Sequence, residues 1–191
     1  MSPFSHYIHA MFGLFKKSEA RIKVKDKIWM SSEEKIDAIR EMLRLNPACL
    51  FLVWFEDSLM TYQQHLGLPA GSPQLMTVER AGVSDVAGKM VIFLEHYPLA
   101  DAEQIQYRRL YLQNVPVLSS LDEPIFDMFG GDRIREMMKR LGMEKGEIVA
   151  HDMINSAIRR AQQKIAGKVR LEKKATSAKE WFAMNFSQKK G

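Results

Sequence analysis

The sequence carries one cysteine, Cys49, in 191 residues. An intrachain disulfide and a four-cysteine zinc site are therefore excluded. A lone thiol fits a reducing compartment. Long apolar runs are also missing. The longest, residues 48–55, has eight members, whereas a helix crossing a bilayer needs about 20. No transmembrane segment is expected. Residues 1–17 are apolar only in part and are broken by Ser5, His6 and His9, which excludes a convincing secretory signal. Met11 offers a second start. Phe12, Leu14 and Phe15 beside Lys16 and Lys17 allow at most weak contact with an anionic membrane surface. The expected location is the cytoplasm, with a peripheral position at the membrane as the variant.

Motifs for common chemistries are absent as well. A phosphate-binding loop needs two glycines followed by Lys and Ser or Thr. Gly88-Lys89 and Gly167-Lys168 are followed by Met90 and Val169, and the earlier glycine position holds Val83 or Gln162. His6, His9, His65, His96 and His151 show no metal-ligand spacing. There is no Gly-x-Ser-x-Gly elbow, internal repeat or low-complexity tract. No catalytic residue, metal or cofactor is implied, and Cys49 inside an apolar run reads as inert packing.

What is present is ordinary globular material. Hydrophobic residues make up 46% and charged residues 27%, enough for a core in one domain. The net charge is +5. Much of the excess lies between Arg159 and Lys174, where Arg159, Arg160, Lys164, Lys168, Arg170, Lys173 and Lys174 face Glu172 alone. Such a run is a solvated face and frayed linker, or a patch for an anionic partner.

Local patterns place the elements. Residues 26–30 read as extended. Ser31 and Glu34 form a capping box, and Ile36, Ile39 and Leu43 supply the stripe of a helix. Asn46-Pro47 ends it. Residues 49–55 suit a strand buried on both faces. Residues 58–66 read as a helix stopped by Gly67, residues 67–73 as loop, and residues 74–78 and 90–94 as strands. A helix over 100–112 and a short strand over 115–118 follow. This alternation predicts an α/β layer on a mainly parallel sheet. After Leu121 the pattern turns helical: Ile134, Met137, Met138 and Leu141 with Gly142, then Asp152 capping a stripe of Ile154, Ala157, Ile158, Ala161 and Ile165 up to Gly167. Residues 177–186 read as a last short helix, docked by Trp181 and Phe182.

Two stretches resemble a known family. Asp26-Lys27-Ile28-Trp29-Met30-Ser31-Ser32-Glu33-Glu34-Lys35-Ile36 is similar to the entry to the second nucleotide-binding lobe of SecA, the motor ATPase of bacterial protein export. Leu50 to Phe55 with Glu56-Asp57-Ser58 is similar to the strand that follows there. Leu121-Asp122-Glu123-Pro124-Ile125-Phe126-Asp127-Met128-Phe129-Gly130-Gly131-Asp132-Arg133-Ile134 resembles the segment leaving that lobe. The similarity continues through Met138, Leu141-Gly142-Met143, Gly146-Glu147, His151 and Ala157-Ile158 to Ala161-Gln162-Gln163-Lys164. The resemblance implies a RecA-like, P-loop-NTPase-like three-layer lobe with a helical C-terminal tail. It divides the chain into a leader (1–25), the α/β lobe (26–121), a helical extension (122–167) and a basic linker with a short helix (168–191).

The departures bear on activity. The first motor lobe and the glycine-rich nucleotide sensor have no counterpart. Where the family carries Gln-x-x-Gly-Arg-x-Gly-Arg, this chain reads Gln104-Ile105-Gln106-Tyr107-Arg108-Arg109. Gln104 or Gln106 corresponds to the glutamine, and Arg108 and Arg109 to remnants of the finger arginines. An arginine finger acts only on a phosphate that the opposite lobe holds. Asp122-Glu123, which imitates a magnesium-holding acidic pair, reads as surface or cap residues. The expectation is a non-catalytic, degenerate motor lobe acting as a protein-interaction or regulatory factor in or beside protein export. Its candidate contacts are Gln104, Gln106, Arg108 and Arg109, with Arg159, Arg160 and Lys164 on the tail. The alternative is a nucleic-acid-binding module using the basic C-terminal patch, although few aromatics interleave with the cations for base stacking.

Overall fold

In a computed structural model, residues 20–127, 131–140 and 152–186 are described. The residue 1–17 motif, Gly142 and the 143–151 part of the resemblance lie outside these residues, as do the side chains of Met137, Met138, Asp152 and Ile154. The elements run β1 (Lys23–Trp29), α1 (Ser32–Leu45), β2 (Cys49–Val53), α2 (Glu56–Leu66), β3 (Leu75–Thr77), α3 (Val83–Val86), β4 (Met90–Phe93), α4 (Ala100–Arg109) and β5 (Asn114–Ser120). Four helices follow: α5 (Pro124–Asp127), α6 (Gly131–Arg140), α7 (Asp152–Ala166) and α8 (Ala178–Asn185).

All five strands are parallel, in the order β1-β5-β4-β2-β3. Strand alternation then builds two cores. Trp29, Cys49, Phe51, Val53, Ile92, Leu94 and Leu118 point to one face, under Ile36 and Ile39 of α1 and Leu59 and Tyr62 of α2. Leu50, Leu52, Phe93, Val115 and Val117 point to the other, under Val86 of α3 and Tyr107 of α4. The uninterrupted apolar β2 is buried throughout because both of its faces are covered. The architecture is the expected α/β RecA-like three-layer body, and the helical tail follows it. A third cluster joins Ile28 and Phe55 to Ile125, Ile158, Ile165, Trp181 and Phe182, and so seats α5, α7 and α8.

The element ends have local causes. Ser31 Oγ accepts from Glu34 N at 3.3 Å, the first half of the capping box, while Glu34 Oε2 has no hydrogen-bond partner. Gly67 ends α2 at φ 65°, the left-handed position where a side chain would be strained. β1 starts at Lys23, three residues upstream of Asp26, because Lys23, Val24 and Lys25 pair with Asn114, Val115 and Pro116 of β5, and Ile22, just before it, is held by Gln104. Its Oε1 accepts from Ile22 N at 2.8 Å and its Nε2 donates to Ile22 O at 3.1 Å. β5 runs from Asn114 to Ser120, longer than the hydrophobic pattern indicates, and matches β1 along its whole length. Toward β4 the only bridge is Phe93 with Val117, next to Pro116, which has no N–H to donate. The basic segment after Gly167 is tied down rather than frayed. Asn185 brackets Lys173, accepting from its N at 2.6 Å and donating to its O at 2.9 Å. Lys168 lies 4.8 Å from the Phe186 ring centroid.

Gly131 opens α6 tight against Leu121 and Phe126. A Cβ there would stand 2.9 Å from Leu121 O and 3.1 Å from Phe126 Cβ. Backbone cannot yield as a flexible side chain does. Gly131→Ala is therefore expected to destabilise the chain by about 1–3 kcal/mol, read as a lower urea midpoint at unchanged slope.

Candidate functional site

The carboxyl ends of the strands gather the buried polar groups. Lys35 stands in the first turn of α1, and its side chain is almost fully buried. Its Nζ donates to Leu94 O at 2.7 Å and Leu118 O at 3.4 Å, and pairs with Glu123 Oε1 at 2.5 Å. It also lies 5.3 Å from the Tyr62 ring centroid. Burial alone would push the amine to lose its proton; the Glu123 charge and Tyr62 outweigh it and raise its pKa above the ordinary value. Tyr62 is pushed up to about 12, chiefly by burial, with Lys35 pulling the other way. Glu123 Oε1 also accepts from Ser120 N at 2.9 Å. Beside it, Asp122 accepts from Ser32 N at 2.9 Å and Ser32 Oγ at 2.8 Å. Asp122 thus caps α1, and Glu123 neutralises its buried lysine. Burial would raise the Asp122 carboxyl, but hydrogen bonds from Ser120 and Ser32 hold it below the ordinary value.

Glu95 and His96 follow β4. Glu95 accepts from Trp54 N at 2.9 Å and Ser58 Oγ at 2.8 Å. Burial pushes its carboxyl up to about 7 against those two bonds. His96 lies between two buried carboxylates, 2.9 Å from Glu103 Oε1 through Nδ1 and 2.9 Å from Asp26 Oδ1 through Nε2. Burial alone would lower its pKa; Glu103 and Asp26 prevail and raise it well above the ordinary value. The result is an imidazolium that ties β1, the end of β4 and α4 together. Among the described residues, no group of three or more His, Cys, Asp or Glu could hold a metal ion.

The residues singled out in the sequence are dispersed. Gln104 is the clamp on Ile22. Gln106 accepts from Arg109 Nε at 2.5 Å, and Arg109 donates to Ala81 O at 2.7 Å and Val78 O at 2.6 Å. The Arg109 guanidinium thus closes the β3–α3 connection. Arg108 is half-buried and has partners of its own. Arg159, Arg160 and Lys164 are exposed on α7, without an ion pair among the described residues. Gln104 and Arg159 share a cleft of about 320 Å³ with Arg21, Lys23 and the His96 cluster. Gln106 lines another of about 320 Å³ with Trp54, Tyr97 and Ile105. The Lys35 network escaped the sequence reading. Its available signal was a lysine on the apolar stripe of α1, four residues before Ile39. His96 gave less, since Asp26 stands 70 residues away.

No known protein-family model matches the chain. Among curated proteins it is similar to protein translocase subunit SecA. The SecA of Anaplasma phagocytophilum is 50% identical over 46 residues, covering 24% of this chain and 5% of that protein. That of Cellvibrio japonicus is 47% identical over 49 residues, 26% of this chain and 5% of that protein. With the Afipia carboxidovorans protein the identity is 29% over 115 residues, 58% of this chain and 12% of that protein. The chain spans about 5–12% of the length of these relatives. Its similarity to SecA is thus to a limited part of that protein. Among the described residues, no helix is long and apolar enough to cross a membrane.

Removing one member of a buried ion pair strands the other. Lys35→Met is expected to cost about 3–5 kcal/mol. In a double-mutant cycle with Glu123→Gln, the double variant loses clearly less than the sum of the singles; a coupling under about 0.5 kcal/mol would show the two sites to be independent. Glu95 gives a pH test. Folded, it keeps its proton up to about 7; unfolded, it loses it near 4.5. Its contribution is complete below 4.5 and is lost as pH rises through 7. Across that window, urea titrations should show the stability of Glu95→Gln rising relative to the parent by on the order of 3 kcal/mol. A pH-independent difference would contradict the buried, raised carboxyl.

Proposed function

We propose that this chain is a nucleotide-independent relative of the second nucleotide-binding lobe of SecA, acting as a protein-interaction or regulatory factor in protein export. One observation carries the reading. The two stretches that resemble SecA, around Ser32–Lys35 and around Asp122-Glu123, meet in space. Ser32 binds Asp122 and Lys35 pairs with Glu123, across about ninety residues of sequence. What was kept is the joint between the entry to the lobe and its exit, with the Lys35–Glu123 pair inside it. What the sequence lacks is the apparatus for a nucleotide: no Gly-Lys pair is followed by a hydroxyl. Arg109, the candidate finger, has its guanidinium on two backbone carbonyls.

Two measurements test this. The purified chain is expected to show no ATP turnover above a mock preparation. In-cell crosslinking followed by affinity capture is expected to enrich components of the export machinery. Measurable turnover, or repeated recovery of unrelated partners alone, overturns the reading. The second reading, nucleic-acid binding, rests on Arg159, Arg160 and Lys164, exposed together on α7. It requires RNA or DNA binding that falls steeply with salt and is lost when the three cations are replaced by glutamine. No binding at low salt rejects it.

A further inference from the structure

β2 and β4 are neighbours in the sheet, yet their outgoing connections diverge. β2 leads to α2 on one face and β4 to α4 on the other. In open parallel sheets such a divergence opens a crevice at the strand carboxyl ends, the place where these sheets bind ligands. Here the crevice is lined by Trp54 after β2, Glu79 after β3, Tyr97 after β4 and Ile105 of α4.

The chain's own strap, residues 172–176, runs along the crevice. Its two ends are anchored. Glu172 accepts from Trp181 Nε1 at 2.7 Å and from the Tyr97 hydroxyl. Thr176 O accepts from Asp57 N at 3.0 Å, capping α2, which lacks a side-chain cap. Between them Asn185 holds the Lys173 backbone, and only the Lys174 side chain is weakly held. Lys174 meets Glu79 at 3.5 Å with both side chains more than 80% exposed, a pair of little worth. Ala175 then faces the slot with only a methyl group, and about 320 Å³ stays open between it and α4. Ile105 is 60% exposed at that wall.

We propose that this crevice is a binding site for an extended segment of a partner protein that presents a basic residue followed by a bulky apolar one. The strap shows the pattern in a minimal form: Lys174 at Glu79, then Ala175 at the slot. The partner's cation takes Glu79 from Lys174, and its apolar side chain fills the space that Ala175 leaves, against Trp54, Tyr97 and Ile105. The rim acids Glu79 and Glu172 match the cation in charge. The inference rests on the interaction-factor reading for the partner's being a protein, not on the link to export.

The probe is a synthetic heptapeptide copying residues 171–177 with Ala175→Phe, against the unchanged copy as control. Binding to the full chain is read from tryptophan fluorescence and thermal shift. The phenylalanine peptide is expected to bind at least about tenfold more tightly than the control, the order that added apolar contact in a pocket supplies. Ala175→Phe in the chain itself should fill the slot from within, raise Tm by ~2–4 °C and weaken peptide binding about as much. Glu79→Lys should weaken binding while leaving Tm unchanged. No preference between the peptides, or binding undiminished by both variants, overturns the site. Peptide binding without recovery of export components keeps the site and removes the export link; recovery of export components without peptide binding does the reverse.

Discussion

The buried pair of Lys35 and Glu123 is the contact on which the arrangement of this protein rests. It joins the first helix after β1 to the turn after β5. Between those points lie β2, β3, β4 and β5, and Lys35 also donates to carbonyls at Leu94 and Leu118. One ammonium therefore ties the ends of β4 and β5 to α1. A charge so placed costs a large desolvation energy unless every donor finds an acceptor. Here the carboxylate, the two carbonyls and the Tyr62 ring supply that compensation. Register follows: α1 cannot slide on the sheet without stranding the charge.

The same economy explains the residues that look functional in a linear reading. Gln104 serves as a substitute strand partner for Ile22. Arg109 satisfies two carbonyls, Val78 O and Ala81 O, in the connection between β3 and α3. Glu172, alone among seven cations in sequence, anchors the strap on Trp181 and Tyr97. Long polar side chains were placed where the backbone needs donors or acceptors. This is why Gln104, Gln106 and Arg109 on α4 fit a structural role, and why an interaction surface is better sought where donors and apolar walls remain open.

Much of the scaffold was legible because it depends on short-range patterns. The apolar run of β2, the stripe of α1 with Ser31 at its cap, and Gly67 at the end of α2 each carry a local cause. Elements governed by distant partners were less legible. β1 starts early and β5 runs long because the two pair along their whole length. The buried clusters were least legible. Asp26, His96 and Glu103 form one network from three separate stretches, and no spacing announces it.

By itself, the sequence determined the class of fold: alternating apolar strands and amphipathic helices, buried on both faces of a parallel sheet, with a helical tail. It also determined the similarity to part of SecA. Only the tertiary structure decided what the charged residues do. A carboxylate or an ammonium is drawn to whichever partner folding brings within 3 Å, and its role depends on burial and on the opposing charge, neither of which is written in neighbouring residues.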